Sequence, residues 1–138
     1  MSLYLAVFDA DGEEIDGVEC GRYADFNAFR DAVLKYCKSK WFGSRFPLLL
    51  DHEDSDGEWA HDEIADLKKE LEEIKIEFVK LPPVPLDGEW QAAVVRQTGV
   101  VPKNLAECFI DIDGEPLLER LLNLCAIADK HGRPIEFQ

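Results

Sequence analysis

LYLAVFDADGEEIDGVEC, residues 3–20, decides how the chain begins to fold. LYLAVFD (3–9) alternates and is rich in aliphatic and aromatic side chains, the pattern of a half-buried strand. Asp11-Gly12 interrupts it, and EIDGVEC (14–20) can return as a second strand, so the spacing predicts a β-hairpin. Outward from the hairpin comes a helix. Asp25 is expected to cap it, and Phe26, Phe29, Val33, Tyr36 and Cys37 make one apolar stripe. Lys38, Ser39 and Lys40 close it with the cationic last turn that a helix dipole favours. FPLLLD (46–51) is a short apolar run and reads as a buried strand with Pro47 near its beginning. The polar loop HEDSDGEW then leads to the clearest helix of the chain, where Ile64, Leu67, Leu71, Ile74 and Phe78 share one side. Pro82-Pro83 forbids its continuation.

Residues 81–104 carry no clear period, and AECFIDI (106–112) reads as a strand. At the end, Asp113 is expected to cap a helix with Pro116 in its first turn. Leu117, Leu118, Leu121, Leu122, Cys125 and Ala128 give it a broad apolar face. Gly132 and Pro134 stop it, and PIEFQ suits a terminal strand. No internal repeat is apparent. This order predicts a single α+β domain over residues 1–138, with a small, mostly antiparallel sheet packed against about three helices.

Composition narrows the function. The chain has 138 residues, with 15 Lys plus Arg against 29 Asp plus Glu, a formal charge of −14. Its 46% apolar residues supply a core and exclude disorder for most of the chain. No apolar run approaches the roughly 20 residues of a membrane span. The opening MSLYLAVFDADG has no cationic stretch before its apolar one, so no secretory signal is expected. So acidic a surface is a poor partner for nucleic acid. Cys20, Cys37, Cys108 and Cys125 form no C-x-x-C pair and are expected to be reduced structural thiols of a reducing cytoplasm.

Sites for chemistry are sparse. HEDSDGEWAHDE (52–63) puts Asp54, Asp56 and Glu63 at three ligand positions of an EF-hand loop. His52 occupies the first position, where an oxygen donor is required, and a strand rather than a helix leads in. His52 and His61 flank that loop without the i, i+4 spacing that would converge them on a transition metal. There is no nucleophile elbow, phosphate-binding glycine loop or H-E-x-x-H. No catalytic residue, metal or cofactor is therefore expected. Residues 21–50 are locally cationic, with Arg22, Arg30, Lys35, Lys38, Lys40 and Arg45, and read as a counterweight to the acidic loops.

The carboxylates are unevenly placed. Asp9, Asp11, Glu13, Glu14, Asp16 and Glu19 crowd residues 9–19, and Asp51, Glu53, Asp54, Asp56, Glu58, Asp62 and Glu63 crowd 51–63, with no Lys or Arg in either stretch. A cationic partner would relieve their repulsion; solvated turns that keep the protein soluble are the alternative. Trp59 and Trp90 each end a DGEW and could anchor a partner or cover the core.

LYLAVFD with the following DGVE, YADFNAFRDAV, DSDGEW leading into ELEEI, and FIDIDGEPLLERLLNLCAIADKHGRPIEFQ together resemble a bacterial immunity protein family of the polymorphic toxin systems, the one numbered seventy. The resemblance implies an α+β fold, a cytoplasmic location and a non-enzymatic protein that binds and neutralises a cognate toxin. It assigns no binding residue. From the charge pattern, the expected inhibitory surface is Asp51, Asp54, Asp56, Glu58 and Asp62 with Trp59 on its rim, joined by Asp11, Glu13, Glu14 and Asp16 of the hairpin tip. Acidity points towards a toxin with a basic surface, a nuclease foremost. An interaction module without a toxin, or a small carboxylate- or metal-dependent enzyme, are the competing readings.

Overall fold

The computed structural model describes residues 2–37, 46–50, 52, 57–84, 93, 96, 97, 99 and 101–138. Strands β1 (Ser2–Phe8) and β2 (Glu14–Arg22) form the hairpin. Helix α1 (Tyr23–Tyr36) follows, then a single helical turn α2 (Pro47–Leu50) and a two-residue strand β3 (Glu58–Trp59). Helix α3 (Ile64–Phe78), helix α4 (Leu117–His131) and strand β4 (Ile135–Phe137) complete the described elements. The sheet is antiparallel in the order β2-β1-β4-β3, so the last strand of the chain lies in its middle. This is the α+β domain that the order of apolar patterns implies.

One face of the sheet makes the core. Leu3, Leu5 and Val7 of β1, Val18 and Cys20 of β2, Trp59, Ile135 and Phe137 all join one buried cluster with Phe26, Phe29 and Val33 of α1 and with α3 and α4. On α3 the buried residues are Ile64, Leu67, Leu71, Ile74 and Phe78, the five that the spacing selects. On α4, Leu124 is buried and Leu122 only partly so. The helix ends at Gly132, whose left-handed φ of 63° a side chain would strain.

Several expectations are corrected. FPLLL is not a strand: Pro47 opens a helical turn, Phe46 and Leu49 are buried three residues apart, and Glu70 accepts from Leu48 N and Leu49 N at 3.2 Å. Glu58-Trp59, expected in a loop, pairs with Glu136 and Ile135. AECFIDI is a 3-10 turn over Leu105–Cys108 followed by a lone Ile110–Pro116 bridge. Helix α1 begins two residues before Asp25, which serves as its third residue and accepts from Arg22 N at 3.0 Å. Helix α4 begins at Leu117 after Pro116, so Asp113 does not cap it. The cationic end expected for α1 at Lys38–Lys40, most of 81–104 and Trp90 lie outside the described residues.

A short repeat also exists. DADGE (9–13) and DIDGE (111–115) fold into the same turn. In each, the first Asp N donates to the Glu carbonyl at 2.8 Å and the Gly N donates to the Asp carbonyl at 3.1 Å. In each, the Asp Oδ1 accepts from two further backbone amides at 2.9 Å, those of Asp11 and Glu13 or of Asp113 and Glu115. Gly12 and Gly114 both take φ 83°, which only glycine adopts without strain. The first turn closes the hairpin. The second ties the approach to α4 against β2, where Ile112 N donates to Glu19 O at 3.0 Å.

Candidate functional site

Strand alternation sends every second side chain to the face of the sheet opposite the core. On β1 these are Tyr4, Ala6 and Phe8, none of them in the core cluster, and Ala6 between the two aromatic residues has no exposed area. Register places Glu19 opposite Tyr4, Gly17 opposite Ala6 and Glu14 opposite Phe8 on β2. On the other side Glu136 of β4 faces Ala6, and Glu58 of β3 faces Glu136. Two aromatic side chains are thus flanked by Glu14 and Glu19 along one side and by Glu136 and Glu58 along the other. Glu14 and Glu58 are exposed, and the remaining four of these side chains are half-buried.

The Glu58–Glu136 pair is a close one. Phe137 N donates to Gly57 O at 2.9 Å, so the neighbouring 58–136 pair falls at a non-hydrogen-bonded position. There opposing Cα atoms approach to about 4.5 Å and like charges destabilise. No described Lys or Arg forms an ion pair with Glu14, Glu19, Glu58 or Glu136. Tyr4 lies across Gly17: a Cβ there would sit 2.2 Å from the phenolic oxygen. Burial, then the hydrogen bond to Glu14 and the nearby carboxylates, push the Tyr4 phenol up to about 12.

Both edges of this sheet are occupied. On β2, Gly17 O accepts from Arg120 Nη2 at 2.9 Å and Glu19 O from Ile112 N at 3.0 Å. On β3, Glu58 O is 2.9 Å from His52 Nε2, and the imidazole stacks on Phe137 with centroids 4.2 Å apart. Arg30 holds the base of the same loop by donating to the carbonyls of Leu50 and His52.

The residues selected from the charge pattern therefore separate. Glu14 and Glu58, 44 positions apart in sequence, come to the same sheet face. Asp11 and Glu13 are exposed at the hairpin tip, and Asp62 is exposed in the 3-10 turn before α3. Trp59 is no rim anchor. It is 1% exposed, donates from Nε1 to Leu48 O at 2.7 Å and packs edge-on to Phe137. Asp16 has a counter-ion after all, because Arg120 of α4 lies 3.8 Å away and also reaches Asp111 at 3.4 Å and Glu115 at 3.7 Å. Asp51, Asp54 and Asp56, and with them the calcium reading of the loop, fall outside the described residues. Glu136, Tyr4 and Phe8 were not selected as site residues, nor was Glu19, although it belongs to the first acidic stretch. The alternation of IEF, which turns Glu136 away from Ile135 and Phe137, is the signal that could have found the first of them.

His61 lies 3.9 Å from Asp129, whereas His52 stacks on Phe137. Among the described residues, no group of three or more His, Cys, Asp or Glu is placed to hold a metal ion. No described helix is long and apolar enough to cross a membrane. All four cysteines are buried free thiols, and burial pushes those of Cys20 and Cys125 up to about 12.

The chain is thus a small α+β domain with carboxylates along one sheet face. The family model described as Immunity protein 70 matches residues 3–137, and the chain belongs to that family. The comparisons with curated proteins and with solved structures return no match.

Proposed function

We propose that the protein is a cytoplasmic, non-enzymatic immunity protein that binds and neutralises a cognate toxin domain through its acidic surface. The match to an immunity family over essentially the whole chain carries this reading. A net charge of −14 supports a partner with a basic surface, because complementary potential speeds encounter and excludes wrong partners. A nuclease, whose cleft must be cationic to hold phosphates, fits that requirement. The proposed contact surface takes in Glu14 and Glu58, the hairpin-tip residues Asp11 and Glu13, Asp62, and the loop carboxylates Asp51, Asp54 and Asp56. Trp59 contributes by fixing β3 from inside the core.

Co-expression with a candidate toxin domain, sought among the adjacent genes, tests the proposal. Growth rescue together with co-purification of the two chains is the expected result. Unrelieved toxicity, or rescue without a complex, would overturn it.

A further inference from the structure

We infer that the face of the sheet opposite the core, with Tyr4 and Phe8 between Glu14, Glu19, Glu58 and Glu136, is the docking site for an arginine-bearing segment of the toxin; this rests on the immunity reading above. Of the sheet's four boundaries, three are taken. One face is the core, the β2 edge is held by Arg120 and Ile112, and the β3 edge is held by His52. A partner strand would have to break those contacts to extend the sheet, whereas among the described residues Tyr4 and Phe8 on the opposite face stand outside the core cluster.

Its chemistry fits a guanidinium. Tyr4 and Phe8 offer aromatic faces for cation–π contact, and carboxylates on both sides offer the paired acceptors that a planar, five-donor cation can use. The opposition of Glu58 and Glu136 costs the free protein stability, and an arriving cation would relieve it. The outer side of α3 is different, since the exposed Lys68, Lys69, Glu72 and Glu73 there carry both signs.

A docking face couples stability and affinity in a way that a merely solvating surface would not. Glu58→Gln and Glu136→Gln should each raise the denaturation midpoint of the free protein while weakening its complex with the catalytically disabled toxin domain that the co-expression test identifies. Glu58→Lys and Glu136→Lys should weaken that complex by at least about tenfold. Glu72→Lys, with the same change in net charge, should leave it within about twofold. Hydroxyl-radical footprinting of the unmodified proteins supplies a second measurement, in which Tyr4 and Phe8 lose reactivity on complex formation. Unchanged affinity in both charge reversals, or undiminished labelling of Tyr4 and Phe8 in the complex, overturns the docking site and leaves the immunity function standing. Failure of the unmodified protein to bind that toxin domain or to rescue growth overturns both.

Discussion

Asp9 and Asp111 occupy the same position of the same five-residue turn, so replacing each by Ala measures what burial adds to one set of hydrogen bonds. Each carboxylate accepts two backbone amides at 2.9 Å. At the hairpin tip, water can replace the Asp9 carboxylate, and Asp9→Ala should cost about 1 kcal/mol. Asp111 is 1% exposed, with Arg120 Nε 3.4 Å from its other oxygen. Its removal strips two amides of their acceptor and takes the buried carboxylate from Arg120. Glu115 at 3.7 Å, Asp16 at 3.8 Å and the Gly17 carbonyl at 2.9 Å still hold the guanidinium, which keeps the loss below that of a fully orphaned charge. Asp111→Ala should therefore cost about 3 kcal/mol. With a urea slope of about 2 kcal/mol per molar, the two midpoints should separate by about 1 M. Asp111→Asn keeps an acceptor and loses the charge, and should fall between them. Equal shifts at the two positions would refute the argument, because burial would then contribute nothing.

Two further outcomes follow from titratable groups. The Tyr4 phenol, at about 12 against an ordinary 10.0, holds its proton more tightly in the folded state. Its contribution to stability is complete below pH 10 and is lost as pH rises through 12, which phenolate absorbance and alkaline unfolding should both show. Gly17→Ala, which places a Cβ where the phenolic oxygen lies, should return that titration towards its ordinary range. A late phenol that persists in Gly17→Ala would contradict the assigned geometry. Cys20 and Cys125, buried and pushed up to about 12, should alkylate slowly at about pH 8 and rapidly once urea unfolds the protein. Rapid labelling of the native protein would contradict their burial.

The elements legible in the sequence are those whose signal is local. Helix α3 shows all five of its buried positions as steps of three and four, and the hairpin shows as two alternating runs around Asp11-Gly12. FPLLL reads as a strand but forms a helical turn, because a short continuous apolar run does not distinguish the two. Strand β3 has two residues and a partner more than seventy positions away, so no local period announces it. The second DxDGE turn was legible by comparison with the first, but Pro116 and the leucines beyond it suggested an earlier helix start. Of the site, the sequence exposed the acidity and the two dense stretches. Which carboxylates share a face depends on the register of β2-β1-β4-β3, and the pairing of Asp16 with Arg120 depends on docking α4 against the hairpin. Both are long-range facts, so no local pattern in the sequence announces the place of Glu136 or the partner of Asp16.

The proposed capture of the toxin by the carboxylate-lined sheet face is electrostatic. Stopped-flow association of the protein with the toxin domain identified by co-expression, followed from about 20 mM to about 500 mM salt, is the decisive test. The rate constant should fall at least about tenfold across that range, and a Glu19→Gln, Glu58→Gln, Glu136→Gln variant should bind more slowly with a flatter salt profile. A rate independent of salt, or one whose salt dependence survives unchanged in that variant, would contradict it.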